Sequence, residues 1–338
     1  MGGRLFPIEL PELEWVEFEA EGFARPVCGV IYRSGRPPCC GVPLGGISTG
    51  CLDIEASGVL GYSSIFNPAG RDRHLQALIP RLLPSYQPFL GLSVEGKTWL
   101  LATQRMLEGG EVPVCADPLF AERTETVSLP KIEGVEGAKE IHYWGHYPVA
   151  DLEYELEAPI GVGLRAWAPF LPGDTAASNT PGAVFEVHLR NATENIQIGT
   201  LAFSFPGPSV SEANAAEFLR WGMEEKDFVG VMVSTGEGMG YFLGVMGRRE
   251  VRIGGGLGSD GKAWARIASE LPQPAGRERN GVPVYREAGS TLAVDFALEP
   301  GEERVTRFLL AWYAPEWQGG DSNRYTHMYA SRYRGALE

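Results

Sequence analysis

Apolar and polar positions alternate in short runs along most of this chain, and turn-forming residues separate the runs. The stretch DLEYELEAPIGVGLRAWAPF, residues 151–170, alternates for several positions until Ala158-Pro159 breaks it. GAVFEVHLRNAT follows, with Val184, Glu186, His188 and Arg190 in uneven alternation. IQIGTLAFSFPG, FVGVMVSTGEGMGYFLGVMG, REVRIGGG and STLAVDFALEPGEERVTRFLLAWYAPEW repeat the theme. A period of two places successive side chains on opposite faces of a strand. Strand follows strand with turn signals and almost no helical periodicity between them. The pattern therefore predicts hairpins, a mainly antiparallel arrangement, and an all-β fold in which two large sheets pack as a β-sandwich. A doubly wound fold is excluded for most of the chain.

Two stretches depart from the strand rhythm. SEANAAEFLRWGMEEKDF predicts a short helix capped by Ser211 and running to Trp221. In DSNRYTHMYASRYRGALE, Tyr325, Met328, Tyr329, Arg332 and Tyr333 fall three and four apart, which predicts a helix with an aromatic stripe. The sequence stops inside that pattern with no capping signal, so the expectation is a connector leading into a further unit. No fixed-period repeat and no Gly, Ser or Pro-rich linker divides the rest. The expected organisation is one β-sandwich domain over residues 1–320 and a connector helix over 321–338.

Composition narrows the function classes. The 44 glycines and 25 prolines are scattered, as many tight turns require. A formal charge of −14 repels phosphate backbones and anionic headgroups, so nucleic acid is not an expected partner. No apolar run approaches the roughly 20 residues of a membrane-spanning helix. The N-terminus, MGGRLFPIELPELEWVEFEAEG, carries acidic residues where a signal peptide has none, and the expected location is cytoplasmic. Cys28, Cys39, Cys40, Cys51 and Cys115 show no C-x-x-C spacing and read as reduced thiols. Asn191-Ala192-Thr193 reads as a turn.

Candidate chemistry is sparse. Gly256-Leu257-Gly258-Ser259-Asp260-Gly261 has the G-x-G-x-x-G form, but it lies among antiparallel strand signals, and Pro272 and Pro274 cut the following stretch short. It is read as a hairpin turn. Glu140, His142 and His146 have metal-ligand character. Gly145 and Pro148 make their segment extended, so an i, i+4 helical pair of histidines does not form and packing is the expected role. Asp151, Glu153, Glu155 and Glu157 share one strand face, read as a solvated acidic row rather than a facing glycosidase pair. GGISTG is not a nucleophile elbow, and no P-loop occurs. Trp144, Trp167, Trp312 and Trp317 are candidates for stacking on sugars. No cofactor and no metal is expected.

Several stretches resemble one family. GVPLGGISTGCLDI with the following IFNP, IHYWGHYPVADLEYE, LRAWAPFLPGDTAASNTPGAVFEVHLRNAT, and FLLAWYAPEW leading into YTHMYASRY are similar in sequence and order to glycoside hydrolase family 116, the bile-acid β-glucosidase and non-lysosomal glucosylceramidase group. The resemblance covers about residues 40–333. It implies the N-terminal β-sandwich of that family, which precedes an (α/α)6 solenoid carrying the glutamate nucleophile and aspartate acid/base. No catalytic residue is therefore expected in this chain, and the implied partner is that catalytic domain. Ser48, Thr49, Asn67, His142, Trp144 and Trp317 are the positions expected to face substrate or the catalytic domain. Ser48 stands where the family shows glycine, at a place that calls for a positive φ. A stand-alone carbohydrate-binding module and a structural interaction protein are the rival functions.

Overall fold

In the strand Gly182–Asn191 buried and half-buried positions alternate without exception; Ala183, Phe185, Val187 and Leu189 face inward. Its neighbour Glu303–Tyr313 buries Thr306, Phe308, Leu310 and Trp312 in the same rhythm. These two pair antiparallel at the centre of a nine-stranded sheet. The computed structural model describes residues 5–6, 15–19, 24–30, 41–66, 81–82, 87–115, 124–235, 238–247, 250–276, 282–318 and 323–338.

The nine strands run in the order Glu140–His146, Val149–Glu155, Ile160–Trp167, Gly182–Asn191, Glu303–Tyr313, Gly240–Met246, Phe228–Ser234, Phe218–Glu224 and Val284–Tyr285, antiparallel throughout. A second sheet of six orders as Glu136–Ala138, Lys97–Thr103, Leu90–Val94, Gln197–Phe205, Ser290–Leu298 and Val251–Gly255. Only its first pair is parallel. The sheets meet through aromatic contacts: Phe203 lies edge-on to Phe185 at 5.0 Å and Phe205 edge-on to Tyr241 at 4.9 Å. Such pairs each add about 0.5–1.5 kcal/mol beyond the area they bury.

The six-stranded sheet is covered on its other face as well. Trp264, on the helix Gly261–Ala265, packs there with Leu100, Met106, Ile267 and Ala293. Covered on both faces, Gln197–Phe205 is buried without interruption from Thr200 onward, and its alternation is lost. A four-stranded sheet, Val42–Leu44, Leu52–Ile54, Leu60–Ser63 and Arg81–Leu82, adds Leu44, Leu52 and Ile54 to the main core.

The all-β, antiparallel sandwich is as the sequence predicts. Both helix expectations need correction. The first helix spans only Val210–Ala213 and is capped by Ser209, not Ser211: the Ser209 hydroxyl accepts the Glu212 N–H while Glu212 accepts the Ser209 N–H. Asn214, left-handed at φ 47°, stops it, and Phe218–Glu224 becomes a strand because Phe218, Arg220 and Gly222 are buried in alternation. The C-terminal stripe is not a continuous helix. Arg324–Thr326 pairs as a strand with Glu316–Gln318, and a single 3-10 turn, Met328–Ser331, follows. No helix among the described residues is long and apolar enough to cross a membrane.

Candidate functional site

Residues 44–51 form a tight loop between the first two strands of the four-stranded sheet, and its conformation depends on missing side chains. Gly45 and Gly50 have φ of 143° and 88°, a region that side-chain-bearing residues rarely enter. At Gly46 any Cβ would lie 2.6 Å from the Thr180 nitrogen and 2.7 Å from the Ser178 carbonyl oxygen, so only glycine fits. Ser48 adopts φ 58°, meeting the positive-φ requirement without a glycine.

Three other elements hold this loop. Ile47 N–H donates to the Ser178 carbonyl at 2.7 Å, and Asn179 Nδ2 donates to the Ile47 carbonyl at 2.6 Å, tying it to the helix Thr175–Ser178 and its C-terminal residue. Trp312 Nε1, from the central strand, donates to the Thr49 carbonyl at 2.7 Å. His327, from the C-terminal hairpin, donates through Nδ1 to the Ser48 carbonyl at 2.8 Å. Burial pushes the His327 pKa down, and the bond to Ser48 only partly offsets it. The loop's own Thr49 Oγ1 donates to Gly46 O at 2.8 Å.

The tail that supplies His327 is an aromatic ladder. Trp317 stacks on its cross-strand partner Tyr325 at 4.8 Å, and His327 stacks on Tyr329 at 5.3 Å. The buried Tyr329 hydroxyl accepts the Ala314 N–H at 2.9 Å, and burial raises its pKa. Beyond the turn, Ala336 packs on Met232 and Phe242. The segments joined to the loop carry exposed apolar side chains: Ile47 itself, Phe170 against Tyr147, Leu171, Tyr325 and Met328. Leu171 and Ile47 both bond to Ser178, and Ile47 is 41% and Leu171 49% exposed.

A second polar region lies on the outer face of the nine-stranded sheet. Here the acidic row of the sequence is corrected. Asp151 is fully buried, bonded by Arg165 Nε at 2.8 Å, Arg165 Nη2 at 2.9 Å and His146 Nε2 at 3.1 Å. Burial pushes its pKa up, but the hydrogen bonds and charges of His146 and Arg165 outweigh burial and hold it below the ordinary carboxylate value. Glu153 accepts the Phe6 N–H, and Phe6 lies edge-on to His188 and under Arg165. Only Glu155 and Glu157 of the row are exposed. Across the edge strand Glu140–His146 and its neighbour Val149–Glu155, the donor atoms of Glu140, His142 and Glu155 lie within 4.8 Å of one another. His146 belongs to the Asp151 network instead.

Of the positions expected to face substrate or partner, Ser48 is exposed, Trp317 and His142 are half-buried, and Thr49 and Trp144 are buried. Trp144 packs with Phe6 and Phe18, and Asn67 lies outside the described residues. Ser48, Thr49 and Trp317 converge at the loop and tail; His142 and Trp144 sit together on the edge strand. Among the other tryptophans Trp312 is core. Ile47, Asn179 and His327 also belong to this site, though no sequence motif marks them. The last is inside YTHMYASRY, but a lone histidine in an aromatic tail gives no signal of its partner 279 residues away. Asn191 is buried, its amide donating to three carbonyls, consistent with the turn. The glycine motif is a strand-to-helix junction rather than a hairpin. Asp260 caps a five-residue helix, and the preceding strand pairs antiparallel, which removes the dinucleotide-binding geometry.

Among solved structures the likenesses are remote. A candidate aldose 1-epimerase from Escherichia coli K12 is 11% identical, with a TM-score of 0.37, over 80% of this chain and 98% of that one. A polysaccharide lyase is 10% identical, TM-score 0.34, over 80% of this chain and 33% of its own. A GH36 alpha-galactosidase from Geobacillus stearothermophilus is 10% identical, TM-score 0.29, over 80% of this chain and 40% of its own. No protein with a curated description matches the sequence. The family described as "beta-glucosidase 2, glycosyl-hydrolase family 116 N-term" matches residues 41–337, from the start of the glycine loop to the end of the tail that clasps it. The chain thus belongs to the N-terminal domain family of glycoside hydrolase family 116.

Proposed function

We propose that this chain is the non-catalytic β-sandwich of a β-glucosidase-like glycoside hydrolase and supports an (α/α)6 catalytic solenoid in the hydrolysis of β-glucosides. The observation that carries this reading is the end of the sandwich at residues 44–51. A glycine-dependent loop is clamped there by three other parts of the chain, and its tip, Ile47 and Ser48, stands exposed near other exposed apolar side chains. Rigid backbone next to exposed apolar side chains suits a permanent interface better than a moving lid. The catalytic glutamate and aspartate belong to the solenoid.

In an aryl β-glucoside assay the purified chain alone is expected to give no turnover above buffer. Turnover that a single carboxylate substitution within the chain abolishes would overturn the proposal. Sugar binding is the second reading, favoured by the Trp317–Tyr325 stack, of which Tyr325 is 41% exposed. It requires saturable binding of a β-glucoside that W317A removes.

A further inference from the structure

The structure assigns a divalent-cation site of the zinc class to Glu140, His142 and Glu155, on the first two strands of the nine-stranded sheet. The donor set is one imidazole nitrogen and two carboxylates, the mix that suits zinc among biological divalent ions. It is carried by two adjacent strands rather than by a loop: Glu140 and Glu155 are directly opposite each other in the antiparallel register, with His142 two residues along. One donor atom from each side chain lies within 4.8 Å of the others. Two carboxylates directly opposite repel. This pair sits in a chain of charge −14.

The neighbouring cation relieves that repulsion only in part, through its attraction to Glu155. Lys139 Nζ is bound to Glu157 at 2.5 Å, and Glu140 has no ion-pair partner among the described residues. His142 reaches Glu155 Oε1 through Nε2 at 2.8 Å, and its ring stacks at 6.1 Å and 25° on the buried Trp144. The ring plane is thereby fixed with one nitrogen aimed at the carboxylates. Metal binding moves the ring proton to Nδ1, and the Nε2 lone pair replaces its hydrogen bond to Glu155 with a bond to the ion. Zinc ligands stand about 2.0–2.2 Å from the metal, so an exposed carboxylate has only to close by about 1 Å. The remaining coordination positions face solvent and hold water.

The ion would fasten the edge strand Glu140–His146 to Val149–Glu155, at the place where a sheet is most open to wrong pairing. Calorimetric titration of the full chain with zinc chloride, with a parallel thermal melt, tests this. One saturable ion per chain and a zinc-dependent rise in Tm are expected. E140Q, H142Q and E155Q should each weaken binding by about tenfold or more and remove the rise in Tm, while the distant E270Q changes neither. All four positions are solvent-accessible, and without zinc E140Q is expected to melt no lower than the unsubstituted chain. Absence of saturable binding, or binding that survives all three substitutions, as it would at the exposed Cys28, overturns the assignment.

Discussion

At the residue scale two buried carboxylates act in opposite directions. Asp151 has its pKa held down, so its folded form binds protons less readily than the unfolded chain. Its contribution is present above the unfolded value near 3.8 and is lost as pH falls through the folded value. Asp53 is the reverse. Its carboxylate accepts the Gly41 and Tyr62 N–H groups, but burial dominates and pushes its pKa up to about 6. Its contribution is therefore present below about 3.8 and lost as pH rises through about 6, a change on the order of 2–3 kcal/mol. D53N should flatten the loss of stability between pH 4 and 6.5 in urea titrations; an unchanged pH slope would show that another group carries it. D151N should cost about 3–5 kcal/mol at pH 7, because it leaves the Arg165 guanidinium facing a neutral amide in a mostly buried site. Neither environment was legible in DLEYELE or CLDIE. Alternation shows which face a carboxylate shares, but the partners that bury Asp151 come from a histidine in the preceding strand and an arginine in the following one.

At the element scale the hydrophobic period was a good guide wherever one face meets the core and a poor one in the tail. Tyr325, Met328 and Tyr329 have helical spacing, yet the segment is extended because Trp317 and Tyr325 pair across a hairpin and His327 N–H is taken by Pro315 O. Tertiary contacts of this kind outweigh helix propensities of a few tenths of a kcal/mol. The Tyr329 hydroxyl is the anchor of the tail. Y329F is expected to cost about 1–2 kcal/mol in urea denaturation, since the buried Ala314 N–H loses its acceptor. A cost near zero would mean that the tail is held by stacking alone. For the glycine loop, S48G should be neutral or stabilising by about 0.5 kcal/mol. It relieves a left-handed serine but adds chain entropy to the unfolded state.

At the scale of the whole molecule, fold class was readable because a sandwich repeats one local rule across many strands. The order of strands and the meeting of residues 44–51, 175–180 and 327 were not, since these contacts join positions more than 130 residues apart. The family resemblance supplied what periodicity lacks, a reason for the order of the quoted stretches, and the match over residues 41–337 bears it out. The proposed role as a supporting half of a glycosidase rests on the exposed end of the sandwich, and one paired measurement tests it most directly. The tagged chain and an I47D/L171D variant are each recovered from the native lysate, and the eluates and the pure chain are assayed for β-glucosidase. The account predicts activity and a solenoid-sized companion with the unsubstituted chain only, and none with the variant or the pure chain. Activity in the pure chain, or an unsubstituted eluate with neither companion nor activity, would contradict it.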